Sequence, residues 1–369
     1  MNAVRVIVLL IAVATCVWLS YSAPPTDSGP RSVPPAQAKQ ASGKPFYGLA
    51  IQIDTSDDPI QRFGSLIDEV AELGADTVTF GTAGYMENGA SGVIYIDQRK
   101  TPTPKQWREL FAIVRRNGLR VILMPIVLFS EPRGSEWRGQ IQPASWDQWF
   151  EQYRAFLNHF ADIAAENHAE AMLIGSELVS TEKFTDEWIE TIDQVRQRYD
   201  GLLGYSANWD HYHKIQFWDK LDLIGMTTYH KLSDKPGPTV EQLVDNWLPI
   251  KQEILAWQAS VGRPILFTEV GWCSQEGCSV EPWNYYHKQM ATPAGMEEQR
   301  NCYEAFMRVW QDEPAVGGVT WWEWTSYGGG PDCYNYTPRG KPAEKLLEQW
   351  FHAQRQKSIQ KRLAEQPAP

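Results

Sequence analysis

Histidine and cysteine are scarce in this chain, and cationic residues are outnumbered. Seven His and five Cys among 369 residues supply no C-x-x-C and no companion His pair, which argues against a zinc site. Lys and Arg number 34 against 45 Asp and Glu, a net charge of −11. That balance repels phosphate backbones and anionic lipid surfaces, so nucleic acid is not an expected partner. No Gly-rich phosphate turn follows the first strand-like run, where Gln52-Ile53-Asp54-Thr55 stands instead. No repeat recurs at solenoid periods. What the chain has in surplus is tryptophan, 17 residues in all. The indole is apolar and its N–H needs a partner, so such a surplus suits a packed core or a half-wet groove for flat ligands such as sugar rings.

Residues 1–23 carry one Arg, an apolar run from Val6 to Leu19 and then small residues, the order of an export signal with cleavage after Ser22. The rival is an uncleaved anchor, with Trp18 and Tyr21 at the membrane interface. A secreted or periplasmic protein is therefore expected, with membrane anchoring as the second choice. A Pro-rich linker is expected over 24–45, a catalytic domain over 46–353 and a polar tail over 354–369. In an oxidising compartment the four cysteines beyond Cys16 can pair, and Cys273 with Cys278 and Cys302 with Cys333 are the favoured pairs.

Between Phe46 and His352 short apolar runs alternate with amphipathic stretches. The runs fall at 46–53, 76–81, 120–129, 171–177, 202–208, 223–229, 264–270 and 318–324. They are nearly continuous rather than alternating, as strands covered on both faces are. Thr103-Pro104 and Thr292-Pro293 mark helix starts. Eight strand–helix units of this length predict an α/β fold, a single (β/α)₈ TIM barrel. Its functional face is the rim formed by the C-terminal strand ends. These deliver Gln52, Glu177, Asn208, Trp209, Tyr229, His230, Glu269 and Trp322 to Trp324, with no group suited to a Schiff base or a bound metal.

Glu177 and Glu269 each close a mainly apolar run, 92 residues and three strand–helix units apart. Two acids facing each other across a barrel mouth are what glycosidic cleavage needs, since one protonates the leaving oxygen while the other attacks the anomeric carbon or activates water.

Four strand ends carry a family resemblance: Ile174-Gly175-Ser176-Glu177-Leu178, Gly204-Tyr205-Ser206-Ala207-Asn208-Trp209, Phe267-Thr268-Glu269-Val270-Gly271-Trp272 and Trp321-Trp322-Glu323-Trp324. With the segment Tyr336-Thr337-Pro338-Arg339-Gly340-Lys341-Pro342-Ala343, they resemble glycoside hydrolase family 113 from about Phe46 to Trp350. That family belongs to the clan of retaining (β/α)₈ glycosidases and is known mainly for β-1,4-mannanases. The resemblance implies Glu177 as acid/base, Glu269 as nucleophile, Tyr229 as a hydrogen-bond donor to the nucleophile, and Trp322 with Trp324 as the floor under the sugar. It also implies no cofactor and no metal. Most of the clan has Asn directly before the acid/base, where this chain has Ser176; Asn208 is a candidate to supply the missing amide to the sugar's 2-hydroxyl. Glu269 is expected to stay ionised and Glu177 protonated near neutral pH.

Trp209, Trp272, Trp322 and Trp324 are expected to line the sugar cleft, with Trp137 as a more distant subsite. Trp146, Trp149, Trp188, Trp247, Trp257 and Trp310 are expected to pack in the core. Asn88-Gly89 predicts a hairpin walling one side of the cleft. His211-Tyr212-His213 reads as a polar loop rather than a metal site, and the Gly328-Gly329-Gly330 run as a flexible loop at the mouth. The function expected is a monomeric retaining β-glycosidase acting on a β-1,4-linked hexosan, most naturally mannan or glucomannan. The alternatives are an exported barrel that binds glycans without cutting them and a transglycosylase on another β-glycan.

Overall fold

The computed structural model describes residues 43–325 and 327–364. The expected export segment, nearly all of the linker and residues 365–369 lie outside the described residues. Eight parallel strands close into a barrel in chain order: β1 (Phe46–Ile53), β2 (Thr77–Met86), β3 (Arg120–Phe129), β4 (Ala171–Ser176), β5 (Leu202–Ala207), β6 (Leu223–Thr227), β7 (Ile265–Val270) and β8 (Val316–Trp321), with β8 pairing back onto β1. The expected TIM barrel is present. Its strands are apolar throughout because both faces are covered: β2, β4 and β7 are buried from end to end. Inside, Phe46, Ile122, Met124, Leu173, Leu223 and Leu266 pack together. Toward the mouth the interior turns polar, with Thr79 bonded to Thr320 at 3.0 Å and Ser206 to Thr268 at 2.6 Å.

The outer layer holds α1 (Pro59–Glu72), α2 (Pro104–Arg116), α3 (Trp146–Glu166), α4 (Thr185–Arg196), α5 (Val240–Val261), α6 (Pro293–Trp310) and α7 (Pro342–Ala364). Thr103 caps α2 in a reciprocal capping box with Gln106, and the Thr292 hydroxyl accepts from the Gly295 N–H at the start of α6. Trp149, Trp188, Trp247 and Trp310 are fully buried between helices and strands, whereas Trp146 and Trp257 are only partly covered. Among the described residues no helix is long and apolar enough to cross a membrane.

Four features differ from the sequence reading. No α-helix joins β5 to β6; two 3₁₀ turns, Tyr212–Lys214 and Trp218–Lys220, do so instead. Tyr212, Phe217 and Trp218 plug into the aromatic layer around Trp188, Tyr205 and Trp257 there, and this burial overrides helix formation. Helix α7 continues to Ala364, with Gln354 buried, so the expected domain end at 353 falls inside a helix. The expected hairpin after β2 is a single antiparallel bridge between Tyr85 and Tyr95. All four described cysteines are free, and neither favoured pair forms. The turn through Gly277 (φ 89°) lays Cys278 onto α6 beside Cys302.

Two strands lose regular pairing near the mouth. From Leu173 to Ser176, β4 takes three steps while β5 takes two, from Gly204 to Ser206. On β7, Phe267 faces Met226 and Glu269 faces Thr227, again one residue too many. Such bulges bend a strand and re-aim the side chain that follows. Here the residues that follow, or sit at, the extra residue are Glu177 and Glu269.

Candidate active site

Glu269 lies inside β7 near its C-terminal end and is 4% exposed. Its backbone carbonyl accepts from the Thr228 N–H and the Thr228 hydroxyl, both at 3.0 Å, so the end of β6 fixes the main chain. Its side chain accepts from the Tyr229 hydroxyl at 2.8 Å. Burial, and then the Glu269 charge, hold the Tyr229 phenol well above its ordinary range, so it remains a donor.

Glu177 stands one residue past β4, 8% exposed, with its backbone in the left-handed region at φ 53°. Its N–H donates to the Ser206 carbonyl at 2.8 Å, and the next N–H, of Leu178, donates to the Tyr205 hydroxyl at 3.0 Å. Tyr205 passes the contact on to the buried Glu182 at 2.9 Å. Burial pushes the Glu182 carboxyl up to about 8, which keeps it protonated at neutral pH.

Between the two carboxylates sits Arg138, a residue the sequence reading did not single out. Its Nη2 lies 2.8 Å from Glu177 Oε2 and 3.7 Å from Glu269 Oε1. Those two oxygens can therefore be no further apart than the two distances together. That limit falls at the lower edge of the ~6.5–9.5 Å separation of inverting glycosidases. Burial opposes the charge on Arg138, but Glu177 and Glu269 together hold the guanidinium firmly protonated.

The protonation of Glu269 differs from expectation. Burial first, and the charge of Glu177 second, push the Glu269 carboxyl up to about 7, against the pull of Arg138 and Tyr229. Glu177 has the guanidinium at 2.8 Å, and Glu269 is the more buried of the two.

The remaining expected residues divide. Trp322 and Trp209 are half-buried and pack around Tyr229, Cys273 and Tyr336, at the cleft beside Glu269. Asn208, just past β5, donates one amide N–H to Asp210 at 2.7 Å. His230 lies between Trp209 and Trp247, and burial lowers it to about 4, leaving the ring neutral. Trp272 does not line the cleft. It stands two residues past the end of β7 and is fully buried against Tyr303 and Phe306 of α6. Trp324 is nearly buried and its indole N–H donates to Glu69 of α1 at 2.9 Å, so it sits apart from Trp322, which packs beside Tyr229, Cys273 and Tyr336. Trp321 turns away from the cleft, as alternation predicts, and stacks on Tyr303.

Next to Trp324, Glu323 hydrogen-bonds Gln52 from β1, and both line a cavity of about 200 Å³ together with Asp54 and Arg62. Burial raises the Glu323 carboxyl while Gln52 lowers it. On the opposite side Trp283, 45% exposed in the loop after β7, stacks on Trp209 at 5.9 Å. No periodicity marks Trp283, since it follows a loop rather than a strand. Trp137 is exposed beside Arg138. Among the described residues no group of three His, Cys, Asp or Glu side chains could hold a metal ion.

The model of Glycoside Hydrolase Family 113 matches residues 61–329. The GH113 β-mannanase AaManA from Alicyclobacillus acidocaldarius, solved in complex with ManMIm, is 26% identical. It is covered over its whole length by 86% of this chain, with a TM-score of 0.75. A second GH113 β-1,4-mannanase structure is 24% identical, with 84% of this chain covering 100% of that one and a TM-score of 0.75. The endo-1,4-β-D-mannanase of Thermotoga petrophila RKU-1 shares the fold at 11% identity, with 84% and 99% coverage and a TM-score of 0.54. No curated protein sequence matches the chain.

Proposed function

Because the chain belongs to glycoside hydrolase family 113 and is a glycoside hydrolase, we propose that it cleaves a β-1,4-linked mannan or glucomannan with retention of anomeric configuration. The observation that carries this reading is the convergence of two carboxylates from opposite sides of the barrel mouth on one Arg138 nitrogen, with Tyr229 donating to Glu269. Such proximity suits double displacement, for which the carboxyl groups need to be ~5–5.5 Å apart, better than inversion, which needs ~6.5–9.5 Å.

In this reading Glu269 attacks the anomeric carbon and Glu177 protonates the leaving oxygen. Glu177 must enter the step protonated and Glu269 ionised; as the proton passes from Glu177 to the leaving oxygen, the Glu269 carboxylate meets the positive charge that grows at the anomeric carbon. A water activated by Glu177 then releases the sugar from Glu269. Trp322 and Trp209 supply apolar faces for sugar rings, and the similarity to β-mannanases makes mannan the first substrate to test. Export through residues 1–23 and action as a monomer belong to the same proposal.

Incubation with mannan, glucomannan, cellulose and chitosan, followed by product-length analysis, tests the substrate and separates hydrolysis from transfer. Turnover of β-mannans is expected. Glu269→Ala should abolish turnover of an aryl β-mannobioside, and azide should restore part of it as the glycosyl azide of inverted configuration. A Glu269→Ala variant with full activity, or an azide product of unchanged configuration, defeats the nucleophile assignment.

A further inference from the structure

We propose that Arg138 binds the 2-hydroxyl of the sugar being cleaved, filling the place left by the short side chain of Ser176. The inference rests on the glycosidase reading above and deepens it. Arg138 comes from the loop between β3 and α3, where a 3₁₀ turn spans Arg138–Gln140. Its Nε donates to the Ser176 carbonyl at 3.0 Å, and its Nη2 lies 3.4 Å from the Ser176 hydroxyl as well as 2.8 Å from Glu177. The guanidinium thus lies over the residue that precedes Glu177, on the side of the site facing Glu269. A guanidinium has five N–H donors. Nη1 makes no hydrogen bond among the described residues, and the side chain keeps 17% of its surface accessible. Donors therefore remain free beside the reacting centre.

The geometry of a pyranose narrows what can meet them. When the anomeric carbon stands between Glu177 and Glu269, the nearest hydroxyl of that sugar is the one on the adjacent carbon; the ring oxygen is closer still, but it shares the developing positive charge and is a poor partner for a guanidinium. Its oxygen can accept from Arg138 while its hydrogen is donated to Glu269 Oε1, which lies 3.7 Å from the same guanidinium nitrogen. Contacts to this hydroxyl strengthen in the transition state. Arg138 has a second effect on the same step. Glu177 becomes a carboxylate as it gives up its proton, and a guanidinium already lies 2.8 Å away to pair with it.

The surrounding loop is built to hold this side chain inward. Ser130 and Glu131 donate their N–H groups to the carbonyls of Met86 and Glu87 at 2.8 Å each, and the Gln142 N–H donates to the Gly89 carbonyl at 2.7 Å. The stretch that follows β3 is therefore fastened to the stretch that follows β2. Gly139 leaves the room that the Trp137 ring occupies, since a Cβ there would come within 2.3 Å of the indole. With Trp137 folded over Gly139 on the outer side, Arg138 is left to point into the site.

The test compares two substrates across three proteins. Wild type, Arg138→Gln and Arg138→Lys are assayed on 2,4-dinitrophenyl β-mannobioside and on its analogue lacking the 2-hydroxyl of the sugar next to the aglycone. Wild type should lose kcat/KM on the order of 100-fold or more when the hydroxyl is removed. Arg138→Gln should be slow on both substrates and differ between them by less than about tenfold, because the contact is already gone. Arg138→Lys, a point charge with fewer donors, should fall between, and it carries the comparison if the Gln variant does not fold. An equal penalty in wild type and variants overturns the inference while leaving the glycosidase reading intact. A wild-type chain inactive on the parent mannobioside and on the corresponding cellobioside overturns both.

Discussion

The ends of β4 and β7 present the same functional group by two different constructions. Glu269 is a strand residue, paired with Thr227, tied by Thr228 through its carbonyl and by Tyr229 through its side chain. Glu177 has already left its strand, stands on left-handed backbone and takes its side-chain partner from a loop. The first arrangement fixes an atom in space through the barrel itself. The second fixes a carboxyl through a guanidinium that reaches both acids, so its setting depends on how a loop is docked. An attacking oxygen must hit one carbon along one line, and rigidity serves it. A group that gives a proton and later takes one back needs an environment that tolerates both of its charge states, and a guanidinium that can pair with its ionised form serves that.

The largest test of this contrast is the leaving group. Glu269→Ala should lose about 10⁴-fold or more in kcat on every glycoside, whereas Glu177→Ala should lose about 10²- to 10⁴-fold on mannan and far less on a dinitrophenyl glycoside, which departs without protonation. Equal losses for the two variants on both substrates would erase the distinction. Tyr229→Phe should cost roughly 10- to 100-fold and shift the acid limb of the kcat/KM profile upward, because the phenol is one of the groups that pull the Glu269 carboxyl down. An acid limb that moves down would show that the phenol does not support the charged form.

Stability gives a smaller handle. Glu269 binds its proton more tightly in the folded chain, at about 7 against an ordinary 4.5. The folded form therefore loses stability relative to the unfolded one as pH rises through that window. Glu269→Gln, which cannot ionise, should melt close to wild type at pH 4 and be more stable at pH 8, by roughly 1–3 kcal/mol or a few degrees. Melting curves at the two pH values check this, and a variant with the same offset at both would remove the burial argument. The smallest effect belongs to the backbone at Glu177. Glycine relieves a left-handed conformation that alanine does not, so Glu177→Gly should be more stable than Glu177→Ala by about 1 kcal/mol in denaturant unfolding.

Much of the barrel was legible because its strands are buried on both faces and so read as apolar runs, and because Thr-Pro pairs mark two helix starts. The strand ends then located the two carboxylates and Tyr229. What escaped the sequence did so for identifiable reasons. Trp272 lies two residues past the end of β7, where only the folded chain decides that its indole packs on Tyr303 and Phe306. Trp324 lies past the last regular pair of β8, where alternation no longer applies. Arg138 sits in a stretch rich in charged and small residues that reads as solvated; only its place between Trp137 and Gly139 hinted otherwise, and that hint has meaning only once the loop is folded. Cys278 and Cys302 are neighbours through a turn and a helix that no spacing rule joins.

The fastening of the loop after β3 onto the stretch after β2 also ties the two acids to strands that carry neither of them. Ser130, Glu131 and Gln142 hold the loop to residues 86–89, Ile141 is buried in the core, and between these anchors Arg138 reaches both Glu177 and Glu269. The charge balance at the ends of β4 and β7 is thus set by contacts that β2 and β3 make.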